Sequence, residues 1–494
     1  MRKLFLLSLA FLVTTFSFAQ ATDAPSKFSE ETQKFITVDV PLFALTHVRV
    51  VDGTGAQPLE DQTIIVADGK IQTIGKTGDV KVPANARVFD KTGYTVIPGL
   101  IGMHNHLYYT ASLNRDARGA TPAPGYFVNE VPYTAPRLYL ASGVTTMRTA
   151  GSVEPYTDMN VKNAIDSGRM PGPKIDVTAP YLEGPPGARA ISQLHELTGP
   201  DDAREMVRFF SGQGFTSFKA YMNITRAELK AAAEEAHKRG LKITGHLCSV
   251  GYREAAELGI DNLEHSFFAD TEFVPTKKPD VCPSQRDANE AFTKLEPTDE
   301  AFQQTVRTLI EHHVAITSTL PVFEPNTASR PPVPQRVLDA MSAESKISYL
   351  SARARSPQSI AGQQRADAYF KKHMQLEFAF AKAGGVLMAG PDPTGGGGVL
   401  PGFGDQREVE LLVEEGFTPV EAIKIASYNG AQFMGILDRT GTIAQGKLAD
   451  MVLINGDPSK NINDIEKIET VFKDGVGFDS AALIASVKGM VGIR

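Results

Sequence analysis

Cysteine is nearly absent from this chain of 494 residues, which carries only Cys248 and Cys282. Two thiols are far too few for a disulfide scaffold, so the fold must rest on an apolar core. A single bridge between them is compatible with an oxidising compartment. Cys248 lies two residues past His246 in a strand-like run, however, and the expected reading is a small buried thiol on the same face as that histidine. Membrane-length apolar runs are also missing, since a span takes about 20 residues and Leu4 to Val13 falls well short. An excess of positive charge is missing as well. The net charge of −7 comes with no basic stripe, which argues against nucleic acid or any other polyanion as a partner.

The amino terminus reads as an export signal over residues 1–21, with Arg2 and Lys3, the short apolar run, then Ala19 and Ala21 as a small-residue cleavage site. No cysteine lies near its end to carry a lipid. The expectation is an exported protein, periplasmic or secreted, with no membrane span once the signal is removed. The chain as a whole, 42% hydrophobic and 22% charged, has the composition of an ordinary globular protein. Its length allows one large barrel plus an accessory domain, because single cores rarely grow beyond about 250 to 300 residues.

Two textures divide the chain. Residues 36–95 are short β-branched runs broken by Gly, Asp and Pro, and the same texture returns over 437–475. This predicts one small β-sandwich domain built from both chain ends. Between them, over 96–436, eight apolar runs alternate with helical patterns: Val96–Gly102, Gly143–Ala150, Pro173–Leu182, Phe215–Met222, Leu241–Cys248, Asn262–Phe268, Val314–Leu320 and Val386–Ala389. The clearest helix begins at Thr225, with Glu228 as its capping-box partner and Gly240 as its stop. Eight βα units in series predict an α/β fold of the (β/α)8 TIM-barrel kind. Two proline-rich stretches, 269–297 and 321–362, interrupt the pattern and read as long loops over the active face.

The candidate ligands gain meaning from where they fall. His104, His106, Lys219, His246, His265 and Asp392 each sit late in a predicted strand or just after it, and in a parallel barrel those ends converge on one face. His104 and His106, two apart, project to the same side and can grip one ion. Lys219 sits in an apolar strand where an unpaired ammonium would be costly to bury. An amine that has added carbon dioxide becomes a carbamate, which offers two oxygens to bridge two cations. Tyr221 shares the face of Lys219, and its hydroxyl is either a donor to substrate or a packing group. Arg148, ending the second strand, either binds a substrate carboxylate or makes a structural ion pair.

The run Val96-Ile97-Pro98-Gly99-Leu100-Ile101-Gly102-Met103-His104-Asn105-His106 resembles the opening motif of the amidohydrolase superfamily, in its binuclear class with a carboxylated lysine. Residues 441–452 resemble the segment by which that superfamily returns to its flanking sheet. Glu264-His265 and the stretch Ser427 to Gly435 are similar to the imidazolonepropionase-like and prolidase-like branch, whereas Ser217-Phe218-Lys219 is closer to hydantoinases. The resemblance implies two divalent ions, zinc being the first expectation. His104, His106 and Asp392 would hold one ion, His246 and His265 the other, and the Lys219 carbamate would bridge them. It further implies that a metal-bridged hydroxide, with Asp392 as proton carrier, hydrolyses an amide or peptide bond of a small substrate such as a dipeptide, an N-acyl amino acid or a cyclic amide. A mononuclear deaminase of the same superfamily and a non-catalytic metal-bearing binding protein are the rivals. Metal identity and a homo-oligomeric state stay open.

Overall fold

The computed structural model describes residues 27–111, 127–187, 194–327, 329–355, 359–393 and 398–492. The export segment expected at residues 1–21 lies outside them.

Strands from both chain ends pair into one nine-stranded sheet. Its order runs Ile36–Val38, Val476–Asp479, Ile468–Lys473, Met451–Ile454, Thr95–Pro98, Leu42–Val50, Leu59–Ala67 and Lys70–Lys76, with Arg87–Asp90 alongside Leu42–Val50. The two ends are sewn together where Val452 lies antiparallel to Ile97. Side chains alternate across this seam. Met451 and Leu453 enter a small apolar cluster with Phe43, Ile64, Ile71 and Phe472, while Val452 and Ile454 face the opposite way into the large central core. One continuous ladder thus links all nine strands, drawn from both chain ends.

The predicted strand Val96–Gly102 is divided. Thr95–Pro98 joins the outer sheet and the chain then turns inward at Gly99, where a β-carbon would lie 2.1 Å from Thr145 Oγ1. Only glycine permits that approach.

Eight parallel strands follow: β1 (Leu100–Asn105), β2 (Val144–Thr149), β3 (Lys174–Asp176), β4 (Ser217–Ala220), β5 (Lys242–Gly245), β6 (Asn262–Glu264), β7 (Ala315–Ser318) and β8 (Leu387–Ala389). They form a three-stranded sheet, β3-β2-β1, and a five-stranded sheet, β4 through β8 in order. The pairing is therefore not an uninterrupted ring of eight. The predicted strand 173–182 ends early as β3, and its remainder reaches β4 through Ala179 N–H to Ser217 O (2.9 Å) and Leu182 N–H to Lys219 O (2.8 Å). On the other side, Asp392 N–H donates to His104 O at 3.0 Å. A β-carbon on Gly390 would stand 2.3 Å from the His104 nitrogen, so the exit of β8 lies against β1.

Helix α1 (Arg226–His237) starts as its sequence predicts: Thr225 Oγ1 accepts from Glu228 N–H, and the Glu228 carboxylate accepts from Thr225 N–H. The two expected loops are corrected. Residues 269–297 contain α2 (Gln285–Lys294), capped by Ser284, and 321–362 contain helices at Gln335–Ala340 and Ala343–Arg355. Helix-forming Ala, Glu, Lys and Arg within those stretches outweigh the prolines, which sit at helix starts or between helices. The thiol expectation is corrected too, because Cys248 and Cys282 form a disulfide, with Cα atoms 4.9 Å apart. The segment after β6 folds back over the exit of β5, held by Thr271 Oγ1 to Cys248 O (2.5 Å) and Lys277 Nζ to Ser249 O (2.6 Å). Nothing local in sequence announces that return.

Outside the strands, α3 (Ile360–Lys382) and α4 (Phe403–Glu415) bring the carboxyls of Glu377, Glu408 and Glu415 together. Burial raises the Glu377 pKa to about 7, and burial together with the neighbouring carboxyls raises those of Glu408 and Glu415. The folded state therefore binds protons that the unfolded chain has released. The stabilising contribution of Glu377 is fully present below about pH 4.5 and is lost as pH rises through 7, and those of Glu408 and Glu415 are lost in the same direction. Denaturant melts from pH 5 to 8 are expected to show Glu408→Gln gaining stability over the native chain as pH rises; a constant difference would contradict this.

Candidate metal centre

His104 and His106 leave the carboxyl end of β1 on one side of the strand, and Asn105 between them points away, donating to Asp405 Oδ1 at 2.9 Å. Asp392 arrives from the exit of β8. One ligand atom from each of His104, His106 and Asp392 lies within 4.8 Å of the others, a spacing one divalent ion can span. Asp392 Oδ1 is 3.4 Å from His106 Nε2 and 3.7 Å from His104 Nε2. His265 follows β6, its ring 4.6 Å from that of His104 and 4.4 Å from that of His246, which follows β5. Lys219, third residue of β4, places Nζ 3.3 Å from His104 Nε2. All six expected ligands thus gather around one centre. His265 and Asp392 hold φ angles of 64° and 48°, left-handed conformations that non-glycine residues adopt at a cost and that cluster at functional sites.

The surrounding groups orient the imidazoles. Glu264 Oε2 is 2.8 Å from His104 Nδ1. An ionised carboxylate only accepts, so Nδ1 carries the proton and Nε2 turns its lone pair to the centre. His106 Nδ1 is likewise placed to donate to Gly151 O at 3.3 Å, and His265 Nδ1 lies 2.9 Å from Thr319 Oγ1. Arg148 directs its guanidinium to Glu264 Oε1 (2.8 Å), Asn262 Oδ1 (2.6 Å) and Met103 O (2.9 Å). It is buried and holds Glu264 in place, the structural ion pair among its two expected readings rather than the substrate contact. Burial works against charge on Glu264, but His104, Arg148 and Lys219 outweigh it and hold this carboxyl well below its usual range. Glu264→Gln is expected to weaken metal retention about 10- to 100-fold, the scale of losing a partner behind a metal ligand; chelator competition measures it.

The electrostatics favour a cation. Burial lowers the pKa of His106 to about 4 and that of His246 to about 3, leaving neutral imidazoles with lone pairs. Burial alone would raise the pKa of Asp392, yet His104, His106 and His265 hold it well below the carboxylate range. Lys219 is 1% exposed, has no carboxylate within ion-pair distance among the described residues, and is lowered by burial to about 8. Neutral imidazoles, one carboxylate and a buried amine without a counter-ion make a donor set that fits divalent metal.

Tyrosines close one side. Tyr221 packs its ring 5.3 Å from that of His246 and 4.7 Å from that of Tyr181. The Tyr181 hydroxyl is hydrogen-bonded to that of Tyr108, whose ring is 4.5 Å from that of His106. Burial raises all three phenol pKa values, so these hydroxyls keep their protons. Tyr108 and Tyr181 escaped the sequence reading. Strand alternation two residues past His106 would have pointed to Tyr108; Tyr181 offers no comparable signal, since it lies where the predicted third strand has become irregular.

Comparison with known proteins decides the family. The model of the amidohydrolase family matches residues 95–477. This chain belongs to the amidohydrolase family. Among curated relatives, the imidazolonepropionase of Stenotrophomonas maltophilia is 24% identical over 268 residues, covering 45% of this chain and 63% of that protein. A dihydroorotase of Leifsonia xyli is 28% identical over 178 residues, covering 35% and 34%. The chain spans less than two thirds of the length of these relatives. Among solved structures, a putative prolidase from Bifidobacterium longum aligns over 91% of this amidohydrolase and 99% of its own chain, with 25% identity and a TM-score of 0.63. A Xaa-Pro dipeptidase with bound methionine aligns over 89% and 100%, with 19% identity and a TM-score of 0.65; at that identity the likeness speaks for the fold.

Proposed function

We propose that the protein is a metal-dependent hydrolase of carbon–nitrogen bonds, acting on an amide or peptide bond of a small substrate such as a dipeptide, an N-acyl amino acid or a cyclic amide. The observation that carries this reading is the buried amine of Lys219 inside a nest of four imidazoles and one carboxylate, with no acid among the described residues close enough to form an ion pair with it. An uncharged amine adds carbon dioxide, forming one C–N bond and releasing one proton, and the resulting carbamate offers two anionic oxygens. His104, His106 and Asp392 would hold one ion, His246 and His265 a second, and carboxylated Lys219 both. Two such ions, with zinc the first expectation, would supply Lewis acidity and lower the pKa of water at the site.

The protein's own groups do the rest. Asp392, kept ionised by the surrounding histidines, accepts a proton at a carboxylate oxygen and returns it to the leaving nitrogen. Tyr221, which keeps its hydroxyl proton, donates toward the substrate carbonyl as charge develops there. Similarity to a protein titled putative prolidase supports a peptide substrate. We read 96–436 as a (β/α)8 barrel, 36–95 with 437–475 as its flanking β-sandwich, and 1–21 as an export signal; the Cys248–Cys282 bridge suits an oxidising compartment. Elemental analysis of zinc-supplemented protein should approach two ions per chain, and a panel of dipeptides and N-acyl amino acids should yield free amine. One ion per chain, or no amine from any member, overturns the proposal.

A further inference from the structure

His265 borders an aromatic wall that the chemistry above does not use. Phe268 lies three residues beyond it, and Phe323 follows β7 with its ring 6.2 Å from the His265 ring and 5.0 Å from that of Phe268. These two rings line a cavity of about 610 Å³ with Tyr369 and Phe370 of α3, faced by polar residues of α2. The volume is that of a site for a small ligand, ample for a bulky side chain together with the carboxylate beside it.

Two observations say what the cavity takes. Behind the wall His373 is wholly buried, stacked on Phe323 at 4.0 Å and 5.1 Å from the Tyr369 ring. Neither of its ring nitrogens has a hydrogen-bond partner, and burial lowers its pKa to about 3, so it serves as one more neutral ring. The wall is therefore π-rich and uncharged. Its lining contains one cation: Arg365 is exposed and makes no hydrogen bond or ion pair with any described residue. An aromatic wall beside a free guanidinium complements an aromatic group that carries a carboxylate.

We propose that this cavity is the subsite for an aromatic or bulky apolar side chain of the substrate's amine-side residue, whose free carboxylate meets Arg365. The inference rests on the hydrolase reading for its substrate class, and it ties specificity to Phe268, Phe323 and Tyr369. The site then prefers an N-acyl aromatic amino acid, or a dipeptide with an aromatic carboxy-terminal residue, over its glycine counterpart.

Calorimetric titration of the purified full chain with the amine-side products L-phenylalanine, glycine and L-phenylalaninamide tests this without turnover. Burying a phenylalanine ring is expected to favour the first over the second by about 10- to 100-fold, and the acid should bind more tightly than the amide. Tyr369→Ala should shrink the phenylalanine-to-glycine ratio, and Arg365→Gln, on an exposed side chain, should erase the acid-to-amide difference. Equal affinities in the native chain, or ratios unmoved by both substitutions, overturn the proposal. Rates on Gly-Phe and Gly-Gly separate the two readings: Tyr369-dependent binding without turnover of either peptide sinks the hydrolase assignment alone, whereas turnover of both with equal binding sinks the subsite alone.

Discussion

Lys219→Ala is expected to remove at least one of two bound ions per chain and to cut kcat/KM by about 1,000-fold or more, the scale on which loss of one preorganised charged group is felt. The side chain is 1% exposed, with Nζ 3.3 Å from His104 Nε2. A permanent ammonium there would face imidazole lone pairs and repel any cation brought to the centre. A carbamate reverses the sign of that charge. Lys219→Arg should be as damaging as the alanine change, because a guanidinium stays protonated and forms no carbamate. Small carboxylates such as acetate or propionate should restore part of the metal content and rate to Lys219→Ala by occupying the vacated volume. Elemental analysis beside steady-state kinetics decides the matter; two ions and undiminished turnover in the alanine variant would eliminate the bridging role.

Asp392→Asn ranks next, with an expected loss of about 100- to 10,000-fold in kcat, the range of a positioned proton carrier. Asparagine keeps the shape and an oxygen, so the backbone bond from Asp392 N–H to His104 O at 3.0 Å survives and the strand ends stay in register. What disappears is the negative charge that His104, His106 and His265 stabilise. Substrates with better leaving groups should lose less, since they need less help from a returned proton. A uniform loss across leaving groups, with metal content halved, would instead assign Asp392 to metal holding alone.

The six candidate ligands were legible for a physical reason. Each lies at the carboxyl end of an apolar run, and parallel strands carry such ends to one face whatever the distance between them along the chain. Tyr108 was legible in principle, two residues past His106, where it opens the short strand Tyr108–Ala111. The role of Arg148 was not. Whether its guanidinium meets a substrate or Glu264 depends on the placement of β6 beside β2's outlet, a matter of three-dimensional neighbours. The disulfide failed for the same reason, since Cys282 reaches Cys248 through a return loop with no local signature.

Taken alone, the order of residues determined the α/β class, the composite sheet from both chain ends and the gathering of the candidate ligands, because these follow from periodicities of two and 3.6 residues and from polar groups placed at the ends of buried strands. Only the tertiary structure decided how Glu264 and Arg148 orient the histidines, how Cys248 meets Cys282, and how Phe268, Phe323, Tyr369 and His373 assemble one wall from three separate segments. Those features depend on distances between side chains remote in sequence, and packing sets such distances after local pattern has done its part.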